Sequence, residues 1–396
     1  MSVNGDTIEK VEETSCTGCG CCIVVCPIHA ISFHYNNEGF FFPKIDNAKC
    51  VHCAICYNHC PEIKPVKKYA RGYVSVIQLK DETQMVNSAS GGGFYGLAKN
   101  SLSQDWLVCG CVLNEEMLPT HILTNKLSDI TRMQGAKYVQ SKVNAETYQE
   151  IYTSLQDGRK VLFSGTPCQI AGLKSFLEKE YENLHTVGLI CHGVAGPGLY
   201  LHYIKKKQNE IGGVIKDVQF RSRLVGHYPH NHSIRIVTNY GEYNKQAFNE
   251  PYAANFYHNR ILRESCYRCR YASKDRVEDI TLGDFNEAIK ERLVFPSDDG
   301  FNIVITNTAK GEQLLDMAKD SFYWADIDQG YEQINLIQPT LRPSSRDVLK
   351  KANIDMDNPE SDPQYTLSVT VMDKVKSMIP AEMKDHIKRI IGRSKR

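Results

Sequence analysis

The pattern of apolar and polar positions changes character along the chain. Near the N-terminus the one regular pattern is the alternating stretch Ile31-Ser32-Phe33-His34-Tyr35, which predicts a small hairpin within residues Ile31 to Pro43. After the Lys/Pro-rich stretch Lys64-Pro65-Val66-Lys67-Lys68, the alternating run Tyr73 to Leu79 opens a region where short apolar runs and helical periodicity take turns. Trp106 to Leu113 predicts a strand, Ala145 to Leu155 a helix, Val161 to Ser164 a strand and Gln169 to Tyr181 a helix. Val187 to Ile190 then predicts a strand and Leu199 to Gln208 a helix. Such alternation implies an α/β domain with parallel strands. Val214 to Phe220 and Ser233 to Thr238 follow with no helix between them, so the sheet is expected to be mixed.

A polar, Pro-containing stretch, Asn358 to Gln364, precedes two helical patterns broken at Pro380. In the last of these Met383, Ile387, Ile390 and Ile391 share a face, and Lys384, Lys388, Arg389, Arg393, Lys395 and Arg396 decorate the rest. A basic amphipathic helix of this kind either packs on its own domain with a solvated basic face or makes peripheral contact with an anionic membrane. Three domains are therefore expected: residues 1–68, 69–345 and a helical appendage with a basic end, 346–396.

Composition excludes more than it identifies. At 396 residues, with 42% hydrophobic and 23% charged residues, the chain has the make-up of a globular protein with a sizeable core. A net charge of +1 offers no broad basic field for nucleic acid. No run approaches the roughly 20 apolar residues that cross a bilayer, and Met1 to Ser15 is polar and acidic, unlike a signal peptide. The expected location is cytoplasmic, which suits free thiolates better than disulfides.

Cysteine changes the picture. Of 15 cysteines, nine lie between Cys16 and Cys60, and eight of these fall as Cys16-x2-Cys19-x2-Cys22-x3-Cys26-Pro27 and again as Cys50-x2-Cys53-x2-Cys56-x3-Cys60-Pro61. Two-residue gaps wrap the backbone around one iron-sulfur cubane so that its amides face the sulfides, and the fourth cysteine is carried off by the helix that it begins. Paired C-x2-C motifs also build zinc sites, but zinc explains neither the third and fourth cysteines nor the prolines. Over residues 11 to 63 the pattern resembles the bacterial two-cluster ferredoxins. That resemblance implies one 4Fe-4S cluster on Cys16, Cys19, Cys22 and Cys60, and a second on Cys50, Cys53, Cys56 and Cys26.

Four further cysteines stand out: Cys168 and Cys191, each after a predicted strand, and the pair Cys266-x2-Cys269. Strand ends of α/β sheets are where ligands bind, although a lone cysteine is ordinarily a small buried apolar residue. Six segments carry a further resemblance: Ser90-Gly91-Gly92-Gly93, Gln134 to Tyr138, Gly165 to Gln169, Cys191-His192-Gly193, Cys266 to Cys269, and Asp279 to Phe285. In this order, over roughly residues 72 to 300, they resemble the beta-subunit family of coenzyme F(420) hydrogenases and dehydrogenases.

The resemblance implies FAD in the large domain and a third 4Fe-4S cluster on Cys168, Cys191, Cys266 and Cys269. Where the family often has Phe-Arg-x-Lys and Gly-Asp-Phe-Trp, this chain has Phe220-Arg221-Ser222-Arg223 and Gly283-Asp284-Phe285-Asn286, which bears on the substrate pocket. The flavin candidates are Ser90, Gly91, Gly92, Gly93, Lys137, Tyr138, Thr166 and Arg221. The glycine run is either a pyrophosphate cradle or a plain turn, and Lys137 and Arg221 either anion partners or solvated bases. Lys137 and His192 are the catalytic candidates, with a structural hydrogen bond as the alternative for His192.

The expected fold is thus α/β, α+β overall: a two-cluster ferredoxin module followed by a mixed-sheet α/β flavin-binding domain. The expected function is an iron-sulfur flavoprotein oxidoreductase that passes electrons between clusters, FAD and a two-electron substrate, the deazaflavin coenzyme or another organic molecule. Its expected partners are that small molecule and a redox protein, either a ferredoxin or a hydrogenase or dehydrogenase subunit. The alternative is an electron-transfer subunit of a larger complex with no substrate of its own.

Overall fold

A computed structural model describes residues 5–223, 233–285, 293–296, 300–356 and 367–371. The helical patterns on either side of Pro380, the stretch Asn358 to Gln364 and Asn286 lie outside the described residues. The N-terminal hairpin forms from β1 (Ile31–Tyr35) and β2 (Phe41–Ile45), paired antiparallel with Ile31 opposite Ile45. The strands that follow are β3 (Tyr73–Leu79), β4 (Leu107–Leu113), β5 (Pro119–Thr124), β6 (Val161–Gly165) and β7 (Leu184–Leu189). Next come β8 (Ile215–Ser222), β9 (Ser233–Thr238), β10 (Glu242–Gln246), β11 (Ile280–Asp284), β12 (Asn302–Thr306) and β13 (Phe322–Asp326).

Eight of these strands form one mixed sheet in the order β13-β3-β12-β11-β7-β6-β4-β5. Its centre, β11-β7-β6-β4, is parallel, as the strand-helix alternation requires, and the outer pairs are antiparallel. The mixture has a different source from the one expected. β8 and β9 do not enter this sheet; with β10 they form a separate antiparallel sheet of three strands. Each pairs with its neighbour in sequence, and their apolar positions Ile215, Val218, Phe220, Ile234 and Ile236 face a core apart from the main sheet.

Element boundaries move where flanking residues override periodicity. The helix expected from Gln169 starts at Pro167, because Thr166 caps it and proline suits the first turn, and it ends at Leu177. The strand expected over Val187 to Ile190 runs over Leu184–Leu189, and the helix expected over Leu199 to Gln208 over Pro197–Ile211. In the cysteine runs, the one-turn helices Cys21–Val24 and Ile55–Asn58 carry the third cysteine and stop before the fourth, so Cys26 and Cys60 follow a helix rather than begin one. A residue ahead of proline is pushed out of helical backbone, which ends each turn there.

The hairpin packs on the same core as β8 and β9: Phe40 and Phe42 lie with Leu199, Tyr200, Tyr252 and Leu262. Leu349, Ala352 and Ile354 close this core from the C-terminal side. There Arg346, wholly buried, pairs with Glu38 of the hairpin turn at 2.6 Å and donates to the Leu262 carbonyl at 2.8 Å. Among the described residues no helix is long and apolar enough to cross a membrane.

Under the parallel strands, Arg276 holds a buried network together. Its Nε donates to Glu278 Oε1 at 2.7 Å, and its Nη1 and Nη2 to the carbonyls of Tyr271 and Leu189 at 2.8 and 3.0 Å. Arg276→Met should destabilise the protein by about 3–5 kcal/mol in urea unfolding, because Glu278 is left as a buried, unpaired charge. Arg276→Met with Glu278→Leu should recover most of that loss; a double variant no better than the single one would show that the hydrogen bonds, not the stranded carboxylate, carry the cost.

Candidate functional site

The doubled motif folds into two similar loops around two cavities. Cys16, Cys19, Cys22 and Cys60 line one, together with Ile8, Phe33 and Pro43. Cys26, Cys50, Cys53 and Cys56 line the other, together with Ile28, Ala30 and Val51. Each cavity thus draws three cysteines from one run and the fourth from the other. Both linings are largely apolar and each carries four sulfurs, a donor set that fits a 4Fe-4S cubane.

The loops adopt the same backbone with different residues. The second residue of the first two-residue gap is left-handed in both runs, at Gly18 (φ +68°) in the first and at His52 (φ +51°) in the second. Glycine is required only in the first. A Cβ at Gly18 would lie 2.5 Å from Gln140 Nε2 and 3.3 Å from Arg263 Nη1, whereas His52 is exposed. The first loop is pressed against the large domain; the second faces solvent, with Val51 and Cys53 exposed.

Three side chains of the large domain hold the first loop by its carbonyls. Arg263 Nε donates to Cys16 O at 2.7 Å, Gln140 Nε2 to Thr17 O at 2.9 Å and the Tyr148 hydroxyl to Cys19 O at 2.7 Å. In a trans peptide the N–H points opposite to the carbonyl, so the amides of Thr17, Gly18 and Gly20 are turned away from these side chains. None of the three was among the residues singled out from the sequence. Arg263 stands three residues before Cys266, and that proximity was the one signal available.

The second cysteine set comes together from three segments. Cys168 opens the helix after β6, Cys191 follows β7, and Cys266 and Cys269 lie in the turn before β11. Burial raises all four thiols, Cys191 to about 11 and Cys266 to about 12. Cys168 is raised further by the charges of Cys269, Cys191 and Cys266, so the four stand within electrostatic reach of one another. Thiols held in this way lose their protons readily to a bound, positively charged metal centre. Thr166 Oγ1 lies 3.2 Å from Cys168 Sγ.

This set adjoins the first loop. The helix Pro167–Leu177 brings Gly172 so close that a Cβ there would lie 2.8 Å from Cys19 Cβ and 3.0 Å from its Sγ. The charge of Cys168 contributes to raising the Cys19 thiol. Cys21 is wholly buried with its thiol toward the His59 carbonyl, and Cys109 and Cys111 lie on β4.

The flavin candidates fall in separate places. Tyr138 stacks on Phe256 with ring centroids 4.3 Å apart, and its hydroxyl meets Arg221, whose Nη1 pairs with Asp284 at 2.6 Å. Ser90 to Gly93 are buried against β3 and β12: Ser90 Oγ donates to Phe301 O at 2.6 Å and Gly93 N to Asn302 Oδ1 at 2.8 Å. A Cβ at Gly91 would lie 2.3 Å from Asn302 N, so close packing alone demands glycine there. Lys137 Nζ donates to the carbonyls of Met133, Gln134 and Gly135, and Thr166 caps its own helix through Gln169. His192 lies 5.5 Å from the Phe256 ring, and burial holds its imidazole below the ordinary value.

A two-loop cysteine module joined to a mixed α/β sheet with four further thiols defines an iron-sulfur protein of oxidoreductase type. Residues 15–62 match the 4Fe-4S dicluster domain, and residues 158–328 match the C terminus of the coenzyme F420 hydrogenase/dehydrogenase beta subunit. Over these residues the chain is similar to this beta-subunit family, and its N-terminal part to the 4Fe-4S dicluster domain.

Among curated relatives, a subunit of the F(420)H(2) dehydrogenase of Methanosarcina mazei is 23% identical over 331 residues, 79% of this chain and 84% of that protein. An uncharacterized protein of Methanocaldococcus jannaschii is 22% identical over 209 residues, 44% of this chain, and the match spans 57% of that protein's length. A chain of the F420-reducing [NiFe] hydrogenase complex from Methanosarcina barkeri aligns at 16% identity and a TM-score of 0.43, over 74% of this chain and 91% of that one.

Proposed function

We propose that this chain is an iron-sulfur flavoprotein oxidoreductase in which twelve cysteines hold three 4Fe-4S clusters in line. Cys50, Cys53, Cys56 and Cys26 hold the outermost; Cys16, Cys19, Cys22 and Cys60 the middle one; Cys168, Cys191, Cys266 and Cys269 the innermost. The observation that carries this reading is the contact between Cys19 and the helix in which Cys168 stands, made possible by Gly172. The clusters supply one-electron transfer, and FAD, when bound, supplies exchange between single electrons and a pair.

The domain division at 68 and 345 is part of the proposal, as is a cytoplasmic location. Tyr138 and Arg221, converging with Asp284, are the best-supported flavin contacts. Lys137 and Thr166 act through the helix ends that they cap, and Ser90 to Gly93 by letting the backbone approach β12. In this reading the substrate is a deazaflavin coenzyme or another two-electron carrier, on the strength of the family and of the name of the Methanosarcina mazei relative. That name, of one part of a dehydrogenase, also favours work beside partner proteins, in which case the chain needs no substrate of its own.

Anaerobic protein reconstituted with iron, sulfide and FAD should retain FAD through desalting and release it on heating. It should also turn over with reduced deazaflavin, reduced ferredoxin or NAD(P)H. Retained flavin without turnover would move the reading to the partner-dependent carrier, and protein that kept no flavin would remove the flavoprotein.

A further inference from the structure

Two buried arginines flank the large-domain cysteines, and they differ in how their charge is answered. Arg276, 2% exposed, is paired with Glu278 at 2.7 Å. Arg263, 1% exposed, is answered only by neutral groups. Its Nε donates to Cys16 O at 2.7 Å, and its Nη1 to Phe41 O at 3.1 Å and Gln140 Oε1 at 2.9 Å. Its Nη2 is buried with no hydrogen-bond partner, and the guanidinium lies 4.0 Å from the centre of the Phe42 ring. The neighbouring Glu264 turns to Arg342 at 2.7 Å and Arg346 at 3.9 Å. Among the described residues no carboxylate stands at ion-pair distance from Arg263.

Burying a cation without a counter-charge is strongly unfavourable, so the anion that answers Arg263 has to come from a group bound beside it. The surroundings say which. Arg263 grips the carbonyl of Cys16 with its side chain and accepts the amide of Cys266 on its own carbonyl at 3.0 Å, which sets it between the first loop and the second cysteine set. Four thiolates around a cubane make a net negative group whose charge grows by one on reduction, so a fixed cation beside it favours the reduced form. The outermost loop, with Val51 and Cys53 exposed, has water for this purpose. The first loop is covered by the large domain and has Arg263.

Resting on the ligand sets proposed above, we infer that Arg263 is a redox-tuning residue whose unanswered charge raises the reduction potential of the cluster held by Cys16, Cys19, Cys22 and Cys60. Solvent exposure and hydrogen bonds also shift such potentials. The inference concerns the part carried by the charge, which separates from the hydrogen bonds by substitution.

The test is an EPR-monitored potentiometric titration of the full chain, anaerobically reconstituted, as wild type, R263Q and R263K. R263Q should shift the one-electron equilibrium of the first-loop cluster at least tenfold toward the oxidised form, 59 mV per tenfold for a one-electron couple. The Cys50-loop cluster should stay unmoved, and R263K, which keeps the charge, should stay near wild type.

An unmoved first-loop potential in R263Q, or an equal shift in R263K, would make Arg263 a packing residue and overturn the inference. Should R263Q lose the cluster, Q140E and Q140M decide. Both lose the bond to Thr17 O, and only Q140E sets a counter-charge against Arg263, so Q140E alone should lower the potential; equal potentials in the two overturn the inference. A wild-type chain that bound no iron would overturn the ligand reading and this inference with it, whereas a loaded chain indifferent to R263Q overturns this inference alone.

Discussion

Cys168→Ala should bind about eight irons per chain where the wild-type chain binds about twelve, at four irons per cubane. The ferredoxin signals should persist, because Cys168 lines neither of the two N-terminal cavities. The argument rests on convergence. Cys168, Cys191, Cys266 and Cys269 come from three separate segments, yet each of the other three thiolates would raise the pKa of Cys168 if charged. A group of four partly buried thiols with mutually raised pKa values is an unfavourable place for thiolates by themselves, whereas a positively charged iron centre displaces their protons and accounts for all four. The variant should also lose electron flow between the ferredoxin module and the large domain, because the cluster it removes adjoins Cys19. Wild-type protein that saturates at two clusters, with Cys168→Ala indistinguishable from it, would leave these four as buried core thiols.

Cys60→Ala should damage the cluster whose other ligands lie at Cys16, Cys19 and Cys22, and spare the one whose ligands surround it in sequence. The reason is where the chain goes after each one-turn helix. Cys60 lies past Ile55–Asn58 and lines the cavity of the first run, while Cys26 lies past Cys21–Val24 and lines that of the second. Burial pushes the Cys60 thiol up to about 11, and Cys16 contributes to that rise, as expected for two groups facing one space. The first loop is covered by the large domain and the second faces solvent. The EPR signals of the two clusters should therefore broaden differently with a water-soluble paramagnetic relaxant, which identifies the cluster lost. Loss of the more exposed signal in Cys60→Ala would refute the crossed arrangement.

Much of this was legible in the chain before any tertiary structure. The doubled cysteine spacing is a local property: about twelve residues suffice to wrap a loop around a cubane, so residue type and spacing carry the chemistry by themselves. Strands and helices with clear periodicity were legible for the same reason. Tyr73–Leu79 is a strand as its alternation requires, and Ala145–Gln156 a helix as its apolar spacing requires, because each pattern reports which face of one element is buried. Boundaries shifted where a cap or a proline acts on the end of an element, as at Pro167.

What the chain could not disclose in advance depends on which distant surfaces meet. Periodicity marks β8 and β9 as strands but does not say that they leave the main sheet and pair with β10, since the choice is made by packing against Leu199, Tyr200 and Tyr252. Gly172 looks like an ordinary helix residue until the helix is laid against Cys19, where only glycine fits. Arg263 looks like any basic residue near a C-x2-C pair until folding buries it without a counter-ion, between a loop 247 residues upstream and the second cysteine set. Ligand identity and local backbone are set by short-range chemistry, whereas burial, charge compensation and the meeting of the cysteine sets belong to the packed tertiary structure alone.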